Sequence, residues 1–324
     1  MIELQNICKQ YRIAKREPGL SNAFKALLKR DYTTVDALRD ISFSISDGEM
    51  VGYIGPNGAG KSTTIKIMCG VLTPDSGTCS INGRIPWKDR KEHVRHIGVV
   101  FGQRSQLWWD VPVLDSFVLL RDIYGMEELI YRRNLDELTS LLNLSELLQT
   151  PTRNLSLGQR MRCEIAASLL HDPDILFLDE PTIGLDAVSK IAVRQFIQKR
   201  NQEHGTTVIL TTHDMQDIEA LTDRVLLIGK GQILLDGKLE ELKRHTSQNK
   251  LLAIEYRGHQ PFLTEGIHPV KSSDGHMELL IDTSVISASE AISRLVSRTE
   301  ILDLSVSGTT TEEMVASLYQ EYGI

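Results

Sequence analysis

The stretch that decides the fold is Gly55-Pro56-Asn57-Gly58-Ala59-Gly60-Lys61-Ser62-Thr63. It fits G-x-x-x-x-G-K-[ST], the pattern of a loop whose backbone N–H groups surround phosphate. The apolar run 50–54 before it predicts a strand, and 63–69 after it predicts a helix that Gly70 ends. A strand, a glycine loop and a helix N-terminus together direct N–H groups and the helix dipole at one anion. The stretch therefore predicts a phosphate site.

The residue types in this loop suit a nucleotide with a bound metal ion. Gly58 and Gly60 let the backbone approach phosphate oxygens with no Cβ in between. Lys61 is expected to reach the β- and γ-phosphates, and the Ser62 hydroxyl is expected to face Mg²⁺. The sequence carries no N-K-x-D motif for reading guanine, which favours ATP. A chance glycine-rich turn would not explain the strand and the helix on either side.

The composition is that of a globular protein in a reducing compartment. The 324 residues give room for about two domains, with 41% hydrophobic and 24% charged residues. A net charge of −7 argues against a main role on nucleic acid. The four cysteines are scattered without metal spacing. We see neither a signal peptide nor an apolar run near the 18 or so residues of a membrane span, so action at a membrane would need a partner or a surface.

An unusual basic segment, 12–36, separates two predicted strands, 2–11 and 37–45. Within it, Leu20, Phe24 and Leu27 fall on one face of a predicted amphipathic helix. A helix of about a dozen residues is marginal in water by itself, so its apolar face needs a surface. One interpretation packs it on its own domain. The other places residues 20–30 at a membrane surface, with the basic side toward anionic lipid.

Three more predicted strands end close to polar side chains. Strand 97–101 is followed by Gln103, strand 175–178 runs into Asp179-Glu180, and strand 207–210 leads to His213. A helical block lies between the first two, at about 114–170. The run 175–178 is apolar throughout, as in a strand buried on both faces. Asp186 is a predicted cap for the helix that follows Glu180.

The pattern changes near residue 245. Beyond it we predict a strand, a hairpin at Asp274-Gly275, a helix at 287–299, a strand at 301–307 and a final helix. Thr310 and Glu313 have the spacing of a capping box for that last helix. No cluster in this region has catalytic spacing. We therefore interpret 246–324 as a small accessory α+β domain.

In this order, the pieces resemble the ATP-binding cassette (ABC) ATPase of a membrane transporter, over about residues 1–240. The resemblance implies an α/β P-loop NTPase fold, in which a mixed sheet core carries an antiparallel β subdomain and a helical subdomain. It implies a nucleotide-binding domain at 1–245, followed by the small α+β domain. The C-terminal region and the segment around Gln103 most resemble the ATPases of ABC-2 type exporters.

The resemblance also implies contacts with adenine and with the attacking water. Tyr11 is expected to stack on adenine, with Tyr32 as the alternative. Gln103 is expected to contact Mg²⁺ and the attacking water. Gly102 separates Gln103 from its strand, so Gln106 is kept as an alternative. Of the next two aromatic residues, Trp108 and Trp109, we expect one in the core and one in a groove for a partner helix.

Leu155-Ser156-Leu157-Gly158-Gln159 resembles the family's L-S-G-G-Q signature, with Leu157 in place of the first glycine. In the family this motif binds the γ-phosphate held by the opposite subunit, through the serine hydroxyl and helix N-terminal amides. A leucine at positive φ would cost about 1–2 kcal/mol, so Leu157 is expected in an ordinary backbone region, with Gly158 giving the close approach. A plain N-cap is the alternative role for Ser156.

The remaining roles concern the hydrolysis step. Asp179 is expected to hold Mg²⁺, and Glu180 to act as the general base for water in a dry site. His213 is expected to steady the γ-phosphate and Glu180, and Asp186 to cross a dimer interface. The alternative for Asp179 and Glu180 is an acidic pair that caps the following loop.

Together these features imply an ATPase that energises export of a drug, lipid or polysaccharide at the cytoplasmic face of the cell membrane. Two copies, or this chain and a paired ABC ATPase, would close on two ATP·Mg²⁺, with separate permease subunits and no nucleic acid. An importer ATPase with a regulatory C-terminal domain is the nearest alternative. A soluble ABC ATPase acting on ribosomes or DNA is further away, since the chain shows neither two cassettes nor a long coiled coil.

Overall fold

The computed structural model describes residues 1–14, 32–102, 104–246, 249–258, 260–261, 263–297 and 299–308, together with 311, 315, 318–319 and 322–323. The chain forms two compact units, Met1–Asp236 and Gly237–Ile324. The domain limit expected near residue 245 falls inside the second unit.

The first unit contains two sheets. In chain order, its strands are β1 (Ile2–Ala14), β2 (Tyr32–Ile45), β3 (Met50–Ile54), β4 (Ser76–Ile81), β5 (Ile97–Phe101), β6 (Ile175–Asp179), β7 (Thr207–Thr211), β8 (Arg224–Gly229) and β9 (Gln232–Lys238). Its helices are α1 (Lys61–Met68), α2 (Arg90–His93), α3 (Val113–Tyr124), α4 (Glu128–Leu142), α5 (Leu157–Leu169), α6 (Ala187–His204) and α7 (Met215–Leu221), with 3₁₀ turns at Val94–His96 and Thr152–Asn154.

The larger sheet has six strands in the order β5-β6-β7-β3-β8-β9. Neighbours from β5 to β8 run parallel. The strand β6 is apolar throughout because both of its faces are covered, and Leu176, Phe177 and Leu178 are fully buried. Since the carboxyl ends of parallel strands meet at one edge, the loops after β3, β6 and β7 come together there.

The smaller sheet is antiparallel, in the order β2-β1-β4. The pair of β1 and β2 is longer than the sequence predicted, because Tyr11 pairs with Val35 and Ala14 pairs with Tyr32. Residues 12–14 and 32–36, expected inside the insertion, therefore continue β1 and β2. The predicted helix at 20–30, with both of its interpretations, lies outside the described residues.

The helical block predicted at 114–170 consists of α3, α4 and α5, with turns between α4 and α5. Its core contains Phe117, Leu138 and Leu142. Across the described segments of the whole chain, none of the helices combines the length and the apolar character needed to cross a membrane.

The second unit contains α8 (Leu239–Thr246), β10 (Asn249–Arg257), β11 (Ile267–Ser273), β12 (His276–Asp282), α9 (Ala288–Val296) and β13 (Glu300–Gly308). Its sheet is antiparallel, in the order β11-β12-β10-β13. The hairpin predicted at Asp274-Gly275 joins β11 to β12, since Ser273 pairs with His276. Leu252, Met277 and Leu295 lie in its core. Thr310 and Glu313 lie outside the described residues.

Candidate functional site

A cavity of about 560 Å³ opens at the carboxyl edge of the larger sheet. Most of the predicted loop and hydrolysis residues line it, namely Pro56, Asn57, Gly58, Gly60, Lys61, Ser62, Thr63, Asp179, Glu180 and His213. Gly55 and Ala59 are packed beneath it: a Cβ on Gly55 would lie 2.2 Å from the Ile228 carbonyl oxygen, and Ala59 is buried. The fold thus brings these residues from three separate loops to one place.

The loop after β3 depends on two glycines. Gly60 has φ of +115°, and a Cβ there would lie 2.7 Å from the Ala37 carbonyl oxygen. Gly58 has φ of +81°, with open space where its Cβ would be. A side chain at Gly60 would therefore clash, whereas the space beside Gly58 is free for a ligand. The helix α1 begins at Lys61, directly after this turn, so its N-terminal dipole favours an anion there.

Lys61 is a buried cation at the floor of the cavity. Its side chain is 7% exposed, and Nζ donates to the carbonyl oxygens of Gly55 at 2.6 Å and Pro56 at 3.3 Å. Burial lowers the Lys61 pKa, and the charges of Glu180 and Asp179 oppose that change. The lysine is therefore held in the loop by neutral carbonyl groups, where an anionic phosphate is a stronger partner for it.

Asp179 ends β6 and is held by two hydroxyl groups. The Ser62 Oγ donates to its Oδ2 at 3.3 Å, and Thr211 Oγ1 donates to its Oδ1. A carboxylate beside a hydroxyl suits Mg²⁺, which commonly takes one or two carboxylates together with substrate phosphates and water. Within the described residues, no group of three or more His, Cys, Asp and Glu side chains could hold a metal. The donor set thus fits an ion that arrives with a phosphate ligand.

Glu180 has an unusual backbone and an unsatisfied oxygen. Its φ is +58°, uncommon for a residue with a Cβ, and its N–H donates to the Thr211 carbonyl oxygen at 2.9 Å. The His213 backbone N–H donates to Oε2 at 3.3 Å, whereas Oε1 is buried and makes no hydrogen bond to any described residue. Burial raises the Glu180 pKa above its ordinary value. An oxygen in this state is free to accept a proton from a water molecule.

His213 lies across the carboxylate from the backbone. Its Nε2 is 3.2 Å from Glu180 Oε1, a contact whose angles do not make a hydrogen bond. Burial and the nearby Lys61 charge lower the His213 pKa, so the imidazole is neutral at neutral pH. A neutral imidazole can donate one hydrogen bond, to the carboxylate or to a phosphate oxygen.

The residues 155–159 form a helix N-terminus away from this cavity. Ser156 is the N-cap of α5: its Oγ accepts from Gln159 N at 3.2 Å, and Gln159 Oε1 accepts from Ser156 N at 2.9 Å. Leu157 has no positive φ, as expected. Gly158 is buried, and a Cβ there would lie 2.7 Å from Ser189 Oγ. Ser156 and Leu157 are exposed, so this N-terminus is open to another molecule.

Asp186 lies next to that N-terminus and caps α6. Its Oδ1 accepts from Ser189 N at 2.8 Å, and its Oδ2 accepts from Ser189 Oγ at 2.9 Å. The first of these bonds is the main cause of a lowered Asp186 pKa. Leu157 covers the same loop, since a Cβ on Gly184 would lie 2.6 Å from Leu157 Cδ2. Ser156, Gly158, Gln159 and Asp186 are not among the described residues that line the cavity.

Comparison with known proteins places the chain in a family. The family model "ABC transporter" matches residues 38–183. The Nod factor export ATP-binding protein I of Ralstonia nicotianae is 34% identical over 235 residues, covering 70% of this chain and 71% of that protein. The chain belongs to the ABC transporter ATP-binding proteins. As an ABC ATPase it binds and hydrolyses ATP.

Two further comparisons concern a relative similar over most of the ABC ATPase chain and a solved structure with the same fold. The linearmycin resistance ATP-binding protein LnrL of Bacillus subtilis is 28% identical over 300 residues, covering 90% of this chain and 96% of that protein. The dimeric structure of a post-hydrolysis state of the cassette MJ0796, bound to ADP and Pi, has a TM-score of 0.62 and 27% identity, covering 74% of this chain and 99% of that one. The predicted ABC ATPase fold, with its mixed sheet core, is confirmed.

Three expectations from the sequence are not met among the described residues of the ABC ATPase or concern a residue outside them. Gln103 is outside the described residues. Gln106, its alternative, has its Nε2 committed to the Glu164 carbonyl oxygen at 2.9 Å. Tyr11 is 37% exposed and is absent from the described cavity lining. The expectation that one tryptophan is buried is wrong, since Trp108 and Trp109 are 41% and 51% exposed, and the Arg160 guanidinium lies 5.8 Å from the Trp109 ring.

Sequence reasoning also missed several residues of the ABC ATPase that face the nucleotide cavity. Arg104, Lys66, Val71 and Ile183 line it. Thr211, which donates to Asp179, was given no role in the sequence analysis. Its position at the end of the strand beside β6 was the available indication, because adjacent parallel strands bring their last residues together. Arg104 and Lys66 add two positive charges to the cavity, which suits a polyanionic ligand.

Proposed function

We propose that this ABC ATPase hydrolyses ATP between two copies of the chain, or between this chain and a paired ABC ATPase. One observation supports this most strongly. The cavity holds a buried lysine and an unsatisfied glutamate oxygen, whereas the exposed helix N-terminus at Ser156 lies elsewhere on the chain surface. A second copy arranged head to tail would place its Ser156 N-terminus, with the dipole and the N–H groups, over the phosphates in the first copy's cavity.

In this proposal the residues of one copy bind the nucleotide and activate the attacking water. Lys61 and the backbone of residues 55–63 bind the phosphates. Ser62 with Asp179 would hold Mg²⁺, which when bound would supply positive charge to the phosphate oxygens. Glu180 accepts the proton of the attacking water at Oε1. His213 steadies Glu180 and the γ-phosphate. Gln103 contacts Mg²⁺ and the attacking water, and Tyr11 stacks on adenine.

The groups of the opposite copy complete the site. Ser156, Gly158 and Gln159 bind the γ-phosphate from the other side, and Asp186 lies at the interface between the copies. ATP favours the closed state because its contacts with the second copy exist only there. Hydrolysis and loss of phosphate remove that shared ligand, so the copies separate.

We infer that the cycle drives export through separate transmembrane permease subunits, at the cytoplasmic face of the cell membrane. Two relatives support this, since one is named for Nod factor export and the other for linearmycin resistance. The second is similar over most of the chain, including most of the second unit. The drug, lipid or polysaccharide class of substrate is part of this proposal. An importer ATPase with a regulatory C-terminal domain is the competing function.

Purification of the tagged chain from its native membrane tests this proposal. We expect integral membrane subunits to copurify, and we expect inverted vesicles containing them to accumulate substrate when ATP is added outside. Copurification of an extracytoplasmic substrate-binding protein, or ATP-dependent loss of substrate from loaded inverted vesicles, would favour the importer. Recovery of ribosomes or DNA in place of membrane subunits would contradict both functions.

A further inference from the structure

A buried carboxylate fastens the loop after β5 to the signature helix α5. Glu164, on α5, is 4% exposed. Its Oε1 accepts from Ser105 Oγ, and its Oε2 accepts from the Gln106 backbone N–H at 3.1 Å. The Gln106 side chain donates to the Glu164 carbonyl oxygen at 2.9 Å. Glu164 therefore binds the consecutive loop residues Ser105 and Gln106 through both carboxylate oxygens and its own carbonyl oxygen.

The same loop is fixed to the catalytic edge of the sheet at its other end. The Gly102 N–H donates to the Asp179 carbonyl oxygen at 2.7 Å. A Cβ on Gly102 would lie only 2.5 Å from the Glu180 carbonyl oxygen, so the chain at Gly102 packs against the backbone of Glu180. The loop thus begins on the residues that hold Mg²⁺ and activate water in the proposed function, and it continues onto α5 at Ser105.

The contact requires acceptor oxygens at position 164. Burial raises the Glu164 pKa, and the bonds from Ser105 and Gln106 act in the opposite direction. An apolar side chain at 164 would leave the Ser105 hydroxyl and the Gln106 N–H without these acceptors, and buried polar groups need a partner. A role in holding α5 against its neighbours would be served by the apolar residues around Glu164, since Cys163, Ile165 and Ala166 are fully buried.

We propose that Glu164 is a positioning residue, whose carboxylate couples the helix that begins at Ser156 to the loop over Asp179 and Glu180. When the N-terminus of α5 binds ATP in a second copy, α5 is displaced and moves this loop at the catalytic edge. Movement of the loop likewise displaces α5. The proposal rests on the proposed function, because it assumes that the Ser156 N-terminus binds ATP across a dimer. It adds the physical link by which that binding reaches the chain's own catalytic edge.

A double-mutant cycle on full-length protein tests the coupling. The variants are Ser105→Ala, Glu164→Gln and their combination, made both alone and with Glu180→Gln. Ser105→Ala removes one hydroxyl, which also accepts from the Leu107 N–H at 3.1 Å, and it is the smaller of the two changes. Glu128→Gln is the matched control, since Glu128 is an exposed carboxylate of α4 paired with Arg121 and Arg132.

We expect each single variant to weaken ATP-driven dimerisation of the Glu180→Gln chain by about tenfold, the loss typical of one hydrogen bond to a charged group. ATP affinity of the single chain is expected to stay at the value of its parent. The two losses are expected to be non-additive, because they break the same contact. In the chain with Glu180, kcat is expected to fall while KM for ATP changes little. The control should match the parent in all of these measurements.

A lower Tm with unchanged dimerisation and unchanged kcat would contradict the coupling and leave Glu164 a structural residue. Additive losses would contradict it as well, since they would mean that Ser105 and Glu164 act separately. Failure of the proposed function looks different: the Glu180→Gln parent itself would then not dimerise with ATP.

Discussion

The Nε2 atom of His213 lies 3.2 Å from Oε1 of Glu180, and the His213 backbone N–H donates to Oε2 of the same carboxylate at 3.3 Å. His213 therefore binds Oε2 of Glu180 through its backbone and faces Oε1 with its side chain. Oε1 is buried and has no hydrogen-bond partner among the described residues. The left-handed backbone of Glu180 directs the side chain to this place. The arrangement leaves one carboxylate oxygen available for a water molecule beside the phosphate site.

Replacement of His213 by alanine tests that arrangement. We expect kcat for ATP hydrolysis to fall by about a hundredfold, within the range for a group that assists proton transfer, while KM changes little. The backbone bond to Oε2 survives the substitution, so Glu180 stays in place but loses its side-chain neighbour. Steady-state phosphate release measures the effect. His204→Ala, at the end of α6, is the control, and equal kcat values for the two variants would contradict the role of His213.

The pH dependence of hydrolysis follows from burial of Glu180. Burial raises its pKa, so at a given acidic pH more of the carboxyl is protonated than for an exposed glutamate. A protonated carboxyl cannot accept a proton. We therefore expect log kcat/KM to rise with pH through a value above the ordinary glutamate pKa of about 4.3. The residual activity of Glu180→Gln should lack this rise. A rise centred at or below the ordinary value would exclude Glu180 as the base.

Loss of the Lys61 ammonium should remove tight nucleotide binding. The buried amine donates only to loop carbonyl groups and lies beside two carboxylates. A charged hydrogen bond to phosphate contributes up to about 3 kcal/mol, so Lys61→Ala is expected to weaken ATP binding about a hundredfold. Isothermal calorimetry on the single chain measures this change. Lys199→Ala, an exposed lysine of α6 near Glu203, should bind ATP normally. Normal affinity of Lys61→Ala would refute the assignment of the phosphate loop.

Gly158 is required by a contact inside the chain as well as by the proposed dimer. Its Cβ would lie 2.7 Å from Ser189 Oγ, which could move away only by leaving Asp186. Alanine favours helix by about 1 kcal/mol over glycine, but overpacking costs about 1–3 kcal/mol. We expect Gly158→Ala to lower the free energy of unfolding by about 1 kcal/mol.

Denaturant unfolding measures this change. The double variant Gly158→Ala/Ser189→Ala should lose less stability than the sum of the two single variants, because the second substitution removes the atom in conflict. Strict additivity, or a Gly158→Ala chain more stable than the parent, would mean that the two residues do not interfere.

Much of the fold could be predicted because its determinants are local. The phosphate loop, the apolar strand before Asp179 and the hairpin at Asp274-Gly275 depend on neighbouring residues, and the structure has each of them. The link between Ser105 and Glu164 joins residues 59 positions apart, so no local pattern indicates it. The same holds for the Gly158 and Ser189 contact and for the oxygen of Glu180. Trp108 and Trp109 were misassigned, because alternation assumes a regular strand and this loop is irregular.

The central claim is that ATP is held between two copies of this chain, and the most direct test is the molar mass of Glu180→Gln with and without ATP·Mg²⁺. We expect light scattering after gel filtration to give the mass of one chain without nucleotide and of two chains with it. Adding Ser156→Ala together with Gly158→Ala should prevent the change. A Glu180→Gln chain that binds ATP with normal affinity and keeps the mass of one chain at high protein concentration would contradict the account.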